Sequence, residues 1–127
     1  MRKICVVLTA RTSYAKIKPI LTALNNNKKI KLHLVLAASA VLERYGNTHL
    51  TVENDGFKID EKLYIIIESE TLLSSAKSTG LGIIEFAGAF KRINPDLVLV
   101  MADRFEVISA AIAATYQNIP LAHVQGG

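Results

Sequence analysis

Three short segments of this 127-residue chain hold the residue types that chemistry on a small anion needs. Asp103-Arg104-Phe105-Glu106 places a carboxylate beside a guanidinium directly after the apolar run Leu97-Val98-Leu99-Val100-Met101. A carboxylate can accept a proton or stabilise developing positive charge, and a guanidinium presents a planar fork to phosphate oxygens. Ala10-Arg11-Thr12-Ser13-Tyr14-Ala15-Lys16 follows a second apolar run, Ile4 to Leu8. There Arg11 and Lys16 stand at the start of a helix, where free N–H groups and the positive end of the dipole attract anions. A third run, Ile119 to Val124, carries His123 and leads into Gln125-Gly126-Gly127. In an open parallel sheet the C-terminal ends of the strands line the ligand crevice, so these segments converge on one edge.

Each segment also has a plainer reading. Arg11 and Lys16 suit an exposed helix start, and Arg104 suits a surface ion pair of little energetic weight. Asp103 suits a helix cap, with Glu106 three residues later completing a capping box. His123 suits a satisfied core histidine, and His33 the surface of a strand. Taken together the segments support a small-anion or nucleotide site, and spacing alone goes no further. No G-x-G-x-x-G, Walker, G-x-S-x-G or zinc-type spacing is present, so neither a redox cofactor nor a metal is expected.

The elements that must position these residues follow from apolar periodicity. Strands are predicted over Lys3–Leu8, Ile30–Ala38, Lys58–Ile67, Leu97–Met101 and Ile119–Val124, with Leu32, Leu34 and Leu36 alternating against Lys31, His33 and Val35. Ala10 to Tyr14 reads as a polar turn with Thr12 or Ser13 as cap of a helix carrying Ile17, Ile20, Leu21 and Leu24. Pro19 lies too deep in that helix for a first-turn proline and predicts a local irregularity. Leu42 to Gly46 and Thr48 to Asn54 read as short helices, and Asp55-Gly56 as a turn. Thr71 to Ile93 reads as a long helix capped by Ser69 or Thr71, ended by Asn94-Pro95, with Gly80, Gly82 and Gly88 weakening it or marking close packing. Strands alternating with helices give an α/β fold: a Rossmann-like parallel sheet with helices on both faces, in order 3-2-1-4-5. Strand five then lies at an open edge, and residues 1–127 read as an incomplete N-terminal domain.

Composition narrows the classes. Half the residues are hydrophobic, which excludes disorder. No apolar run reaches the roughly 18 residues of a membrane span, and the basic start Arg2-Lys3 precedes too short a run for a signal peptide. With a single cysteine, Cys5, no internal disulfide forms and the residue reads as a small buried hydrophobe. A soluble cytoplasmic protein is expected. The net charge of +4 is concentrated in Lys28, Lys29 and Lys31 beside Asn25-Asn26-Asn27, with no aromatic among them. That pattern reads as a solvated loop, not a nucleic-acid groove.

The segments TARTSYAKIKPIL, AASAVLERYGNT, NDGFKIDEKLY, AKSTGLG and INPDLVLVMADRFEVISAAIAATYQNIPLAHVQGG occur in that order along nearly the whole chain. Together they resemble the N-terminal domain of UDP-N-acetylglucosamine 2-epimerases of the hydrolysing type. The resemblance implies the first half of a glycosyltransferase-B arrangement, with the substrate between two Rossmann-like domains and the C-terminal nucleotide-binding domain outside this chain. It implies conversion of UDP-N-acetylglucosamine to N-acetylmannosamine and UDP, without a cofactor, by a homo-oligomer. Arg11 and Arg104 match residues that contact UDP, Ala15 matches a position that is serine in some members, and Lys16 matches a basic residue of the same turn. Asp103 matches the catalytic aspartate of a G-D-R segment in which Ala102 here replaces glycine. His123, Gly126 and Gly127 match the substrate-binding H-I-E-G-G segment, and Gln125 stands at its catalytic position, which is often glutamate. An amide cannot take a proton as a carboxylate does, which keeps two other readings open: a nucleotide-sugar-binding fragment without catalysis, and a glycosyltransferase of the same build.

In either half-domain reading Asp103 faces open water, where charge stabilisation is weak and the sugar is not oriented. The 127 residues alone are therefore expected to release no UDP or N-acetylmannosamine from UDP-N-acetylglucosamine. Robust product from the purified chain in a coupled UDP assay would show the apparatus to be complete within it.

Overall fold

The computed structural model, which describes residues 1–41, 47–65, 71–101 and 105–124, turns the apolar runs into parallel strands. β1 is Arg2–Leu8, β2 Ile30–Ala37, β3 Glu61–Leu63, β4 Leu97–Met101 and β5 Leu121–Val124. They form one sheet in the order β3-β2-β1-β4-β5, with all four pairings parallel. The helices are α1 (Arg11–Asn26), α2 (Thr48–Asn54), α3 (Leu72–Ile93) and α4 (Phe105–Tyr116), and a 3-10 turn spans Ala38–Val41. The expected α/β architecture and strand order are therefore those found.

Both faces of the sheet are covered, because alternate residues of each central strand enter different cores. Val6 and Leu8 of β1 pack with Tyr14, Ile17 and Leu21 of α1, Val52 of α2, and Phe57. Cys5 and Val7 face the other way, toward Phe86, Phe90 and Ile93 of α3 and Val107, Ala110 and Ala114 of α4. Phe86 and Phe90 stack at 5.8 Å between centroids. Cys5 is buried, and burial, reinforced by Asp60 and Glu61, pushes its thiol up to about 12. It is the inert hydrophobe that the sequence suggested.

Several boundaries differ from the periodicity. Helix α1 starts at Arg11 with Ala10 as N-cap, so neither Thr12 nor Ser13 caps it. It runs unbroken through Pro19 instead of deforming. The carbonyl that Pro19 leaves without a helical donor is that of Ala15, and both residues are exposed, so water can serve it. Strand β2 ends at Ala37 because Ala38 turns to φ 55. Its outward set is also not a solvent face. Val35 is buried. His33 Nδ1 lies 3.2 Å from Asp60 Oδ1, with only 11% of the side chain exposed. The predicted Lys58–Ile67 strand shrinks to Glu61–Leu63, since its pairing with β2 runs only to Ala37, and the Asp60 carboxylate takes the Leu34 N–H at 2.8 Å just before it. Residues 66 and 67, and the 42–46 helix, lie outside the described residues. Strand β5 begins at Leu121, not Ile119, because the Ile119 N–H closes the end of α4 on the Ala114 carbonyl and Pro120 follows without a donor.

The long helix is set as expected by Thr71, which makes a capping box with Ser74. It ends at Asn94, left-handed at φ 53, whose N–H bonds the Phe90 carbonyl. Of its glycines, Gly82 explains the close approach of α3 to α4. A Cβ there would meet Ser109 Oγ at 2.7 Å and Ser109 Cβ at 2.9 Å. Ser109 cannot simply turn aside, because its hydroxyl donates to the Thr79 carbonyl at 2.8 Å. Gly82→Ala should therefore destabilise the fold by about 1–3 kcal/mol through overpacking. Gly80 has nothing within 4 Å of such a Cβ, so Gly80→Ala should stabilise it by roughly 0.5–1 kcal/mol. Urea unfolding of both variants checks the contrast, and equal effects would refute close packing at Gly82.

Candidate functional site

The pairing between the two central strands ends before their C-terminal ends. Strand β1 stays paired with β2 as far as Leu8–Leu36, and β4 stays paired with β5 as far as Met101–Val124. Among the described residues β1 and β4 pair with each other only from Ile4–Leu97 to Val6–Leu99. Beyond that point the two central strands each keep the outer neighbour and leave one another. Helix α1 continues β1 on one face and α4 follows β4 on the other, so two helix starts flank the gap. This is the switch point at which open α/β sheets receive ligands.

Arg11, Ala15 and Lys16 all lie exposed on the first turns of α1. Arg11 and Ala15 are four residues apart and share a helix face, so the small Ala15 leaves space above the Arg11 turn. Ala10 is extended (φ −154, ψ 156) and makes no side-chain cap bond, and the first turn holds no acidic residue. The first main-chain donor used by the helix is Tyr14 N–H, 3.3 Å from the Ala10 carbonyl. An uncapped start of this kind presents its leading N–H groups to an incoming anion. The strand end is fixed from the side, where Ser39 Oγ donates to the Thr9 carbonyl at 2.9 Å.

The same turn is anchored on its buried side. Tyr14 is 4% exposed and meets Phe57 edge-on, at 6.4 Å and 82°. Its hydroxyl donates to Asp55 Oδ2 at 2.5 Å, and Lys18 Nζ reaches the same oxygen at 3.1 Å. Burial first, then the bond to Asp55, raises the Tyr14 hydroxyl well above the ordinary phenol range. The Tyr14 hydrogen bond first, then Lys18, holds Asp55 below the ordinary carboxylate range. The proton therefore stays on Tyr14 and the charge on Asp55. Sequence reading placed Asp55 in a turn and did not single out Tyr14. The available signal was the spacing Tyr14, Ile17, Leu21, a buried helical stripe, but the Asp55 partner is 41 residues away in sequence.

On the other side of the gap, Asp103 and Arg104 lie outside the described residues, as do Gln125, Gly126 and Gly127. Glu106, in the first turn of α4, is fully buried. An acidic group at that helix end is favoured by the dipole, which offsets part of its desolvation. His123 is exposed, so it is not the core histidine that the plainer reading allowed. It pairs in register with Val100, and its neighbours Ala122 and Val124 pack on the α1 side, so His123 points to the other face. The sheet thus brings the ends of β1, β4 and β5 to one edge without bringing His123 to the face that carries Arg11. A concavity of about 860 Å³ lined by Arg2, Lys28, Lys29 and Asp96 lies at the opposite edge, where β1 begins, and contains none of these residues.

The Tyr14–Asp55 anchor has a pH signature. The folded-state pKa of Asp55 is depressed, so its contribution is present above the unfolded value and lost as pH falls through the folded one. Asp55→Asn should therefore destabilise the protein most near neutrality, with the gap to wild type closing below about pH 4. Urea midpoints at pH 7 and pH 3 test this, and a gap that does not change with pH would show that the ionised carboxylate is not what holds Tyr14.

The chain is similar to known proteins along most of its length. The family model described as UDP-N-acetylglucosamine 2-epimerase matches residues 22–127. The polysialic acid biosynthesis protein P7 of Escherichia coli is 34% identical over 100% of this chain and 32% of its own length. The hydrolysing GDP/UDP-N,N'-diacetylbacillosamine 2-epimerase of Campylobacter jejuni is 30% identical over 99% of this chain and 33% of its own. Among solved structures, the Methanocaldococcus jannaschii UDP-GlcNAc 2-epimerase in complex with UDP-GlcNAc and UDP superimposes with a TM-score of 0.81. It is 26% identical, over 98% of this chain and 33% of that one. The chain thus spans about a third of the length of the relatives it matches. With a family-model match across most of its residues, the chain belongs to the UDP-N-acetylglucosamine 2-epimerase family.

Proposed function

We propose that the full-length protein is a hydrolysing UDP-N-acetylglucosamine 2-epimerase and that this chain supplies its N-terminal Rossmann-like half. One observation carries the reading: in a chain of this family, the gap between β1 and β4 is flanked by an uncapped helix start bearing Arg11. That is the arrangement a nucleotide diphosphate requires.

The chemistry is an anti elimination followed by hydration. A base takes the proton from C2 of the sugar, and the bond from C1 to the diphosphate oxygen breaks with its electron pair leaving on UDP. The product is 2-acetamidoglucal. Water then adds across the double bond, hydroxyl to C1 and hydrogen to C2 from the opposite face, giving N-acetylmannosamine. Asp103 serves the sugar as the basic carboxylate, while Arg11 and Arg104 take the charge that develops on the departing diphosphate. Lys16 adds positive potential to the same turn, and Ala15 leaves a backbone contact where a serine would add a hydroxyl. His123, Gly126 and Gly127 border the sugar side. Gln125 cannot exchange a proton, so the second acid–base group belongs to another part of the protein. We place the enzyme in the cytoplasm, acting as a homo-oligomer on the way to a sialic acid or a related sugar. Among the described residues no helix is long and apolar enough to cross a membrane.

The trial is to supply the full-length protein with UDP-N-acetylglucosamine and assay UDP and N-acetylmannosamine together. UDP without free sugar would point to transfer onto an acceptor, and neither product would reject the epimerase reading. Two substitutions separate the roles. Asp103→Asn keeps size and hydrogen bonding, so turnover should fall by roughly 10²-fold or more while UDP affinity stays within a few-fold. Arg11→Ala removes charge-assisted bonds to the diphosphate and should weaken UDP binding by roughly 10- to 100-fold. Near-normal turnover by Asp103→Asn would reject its catalytic role and leave the helix-cap reading.

A further inference from the structure

Resting on the functional reading above, we infer that Asp55 and Tyr14 are positioning residues of the nucleotide site, holding the α1 turn that receives the diphosphate. A helix start is ordinarily oriented by a side chain at its N-cap, which bonds the second or third N–H of the helix. Here Ala10 provides none. A capping oxygen would occupy the donors that a phosphate needs, so the turn has to be held from somewhere else. Tyr14, the fourth residue of α1, supplies that hold from the buried side through its hydroxyl on Asp55 and its ring against Phe57.

The anchor point is itself held by main-chain bonds. Asp55 is the C-cap of α2, with its N–H on the Thr51 carbonyl at 3.0 Å, and the chain folds back at once. Gly56 takes φ 94 and donates to the Glu53 carbonyl, and Phe57 donates to the Val52 carbonyl. The left-handed glycine lets Phe57 return under the Tyr14 ring, so the Asp55-Gly56-Phe57 corner presents a carboxylate and an aromatic face to the same side chain. Lys18, one turn further along α1, contacts the carboxylate oxygen that accepts from Tyr14, so α1 is held at two successive turns. A shift of the first turn by even an ångström would misdirect both the free N–H groups and the Arg11 guanidinium.

A purely structural contact would lower stability without touching ligand affinity, and the experiment separates the two. UDP binding by calorimetry and steady-state kinetics with UDP-N-acetylglucosamine are measured on the full-length protein as wild type, Tyr14→Phe, Asp55→Asn, Arg11→Ala and the double variant Arg11→Ala/Tyr14→Phe. The inference predicts that Tyr14→Phe and Asp55→Asn each weaken UDP and raise KM by about 5- to 10-fold, with kcat within twofold. In the Arg11→Ala background the cost of Tyr14→Phe should fall to about two- to threefold, because only the main-chain N–H groups then remain to be misdirected. The inference is overturned by UDP affinity within twofold of wild type in both single variants, by full additivity in the double variant, or by a loss confined to kcat. If Tyr14→Phe does not fold, Asp55→Asn carries the same comparison with and without Arg11. A wild-type protein that binds no UDP would overturn the functional reading and this inference with it. Wild-type binding that both single variants retain would overturn the inference alone.

Discussion

The parting of β1 and β4 past Val6 and Leu99 is the constraint on which the proposed site depends. Val6 to Leu8 of β1 and Val98 to Met101 of β4 are buried between both helical layers, so packing fixes their backbones there. At their C-terminal ends, however, each keeps only its outer neighbour, and the chain leaves toward opposite faces of the sheet. The gap is a consequence of strand order: in β3-β2-β1-β4-β5 the crossovers run away from the centre on both sides. Two helix starts with their positive ends beside one gap form an electrostatic environment for an anion before any side chain is considered.

The side chains then divide the work by face. On the α1 side the exposed Arg11 and Lys16 offer charge, and the buried Tyr14 fixes the turn that carries them. On the α4 side the fully buried Glu106 places an acidic group at the opening of its helix. An anion site made only of exposed arginines and lysines would be mobile and screened by salt. Here those groups are attached to a turn held by the buried Tyr14, bonded to Asp55, and by the Ser39–Thr9 bond. The left-handed Ala38 immediately before Ser39 fits that picture, since backbone strain of roughly 1–2 kcal/mol persists only where surrounding packing over-determines the conformation.

The two layers of helices are built differently. Helices α3 and α4 approach closely because Gly82 leaves room for Ser109, and a hydrogen bond from Ser109 to the Thr79 carbonyl occupies that space. Helix α1 instead packs through a Tyr14, Ile17, Leu21 stripe. Small residues set the separation of α3 and α4, and larger buried side chains set the packing of α1 on the sheet. The polar Tyr14–Asp55 contact adds a fixed point to that packing of α1.

The sequence by itself determined the fold class, the strand order and the edge on which Arg11 and Asp103 were expected, because these depend on local periodicity and on the rules of parallel sheets. It also narrowed the long helix's cap to Ser69 or Thr71 and placed its stop at Asn94, where the residues involved are neighbours in the chain. Only the tertiary structure decided the rest. The length of β3 depended on where β2 bends at Ala38, and the fate of Pro19 on whether water could reach the Ala15 carbonyl. The half-burial of His33 depended on Asp60, and the exposure of His123 on which face of an edge strand it took. The Tyr14–Asp55 bond joins residues with a whole strand between them, and no spacing rule records it. Periodicity reports which face of an element is apolar. The polar contacts that aim a site arise between elements, and their geometry exists only once the elements have packed.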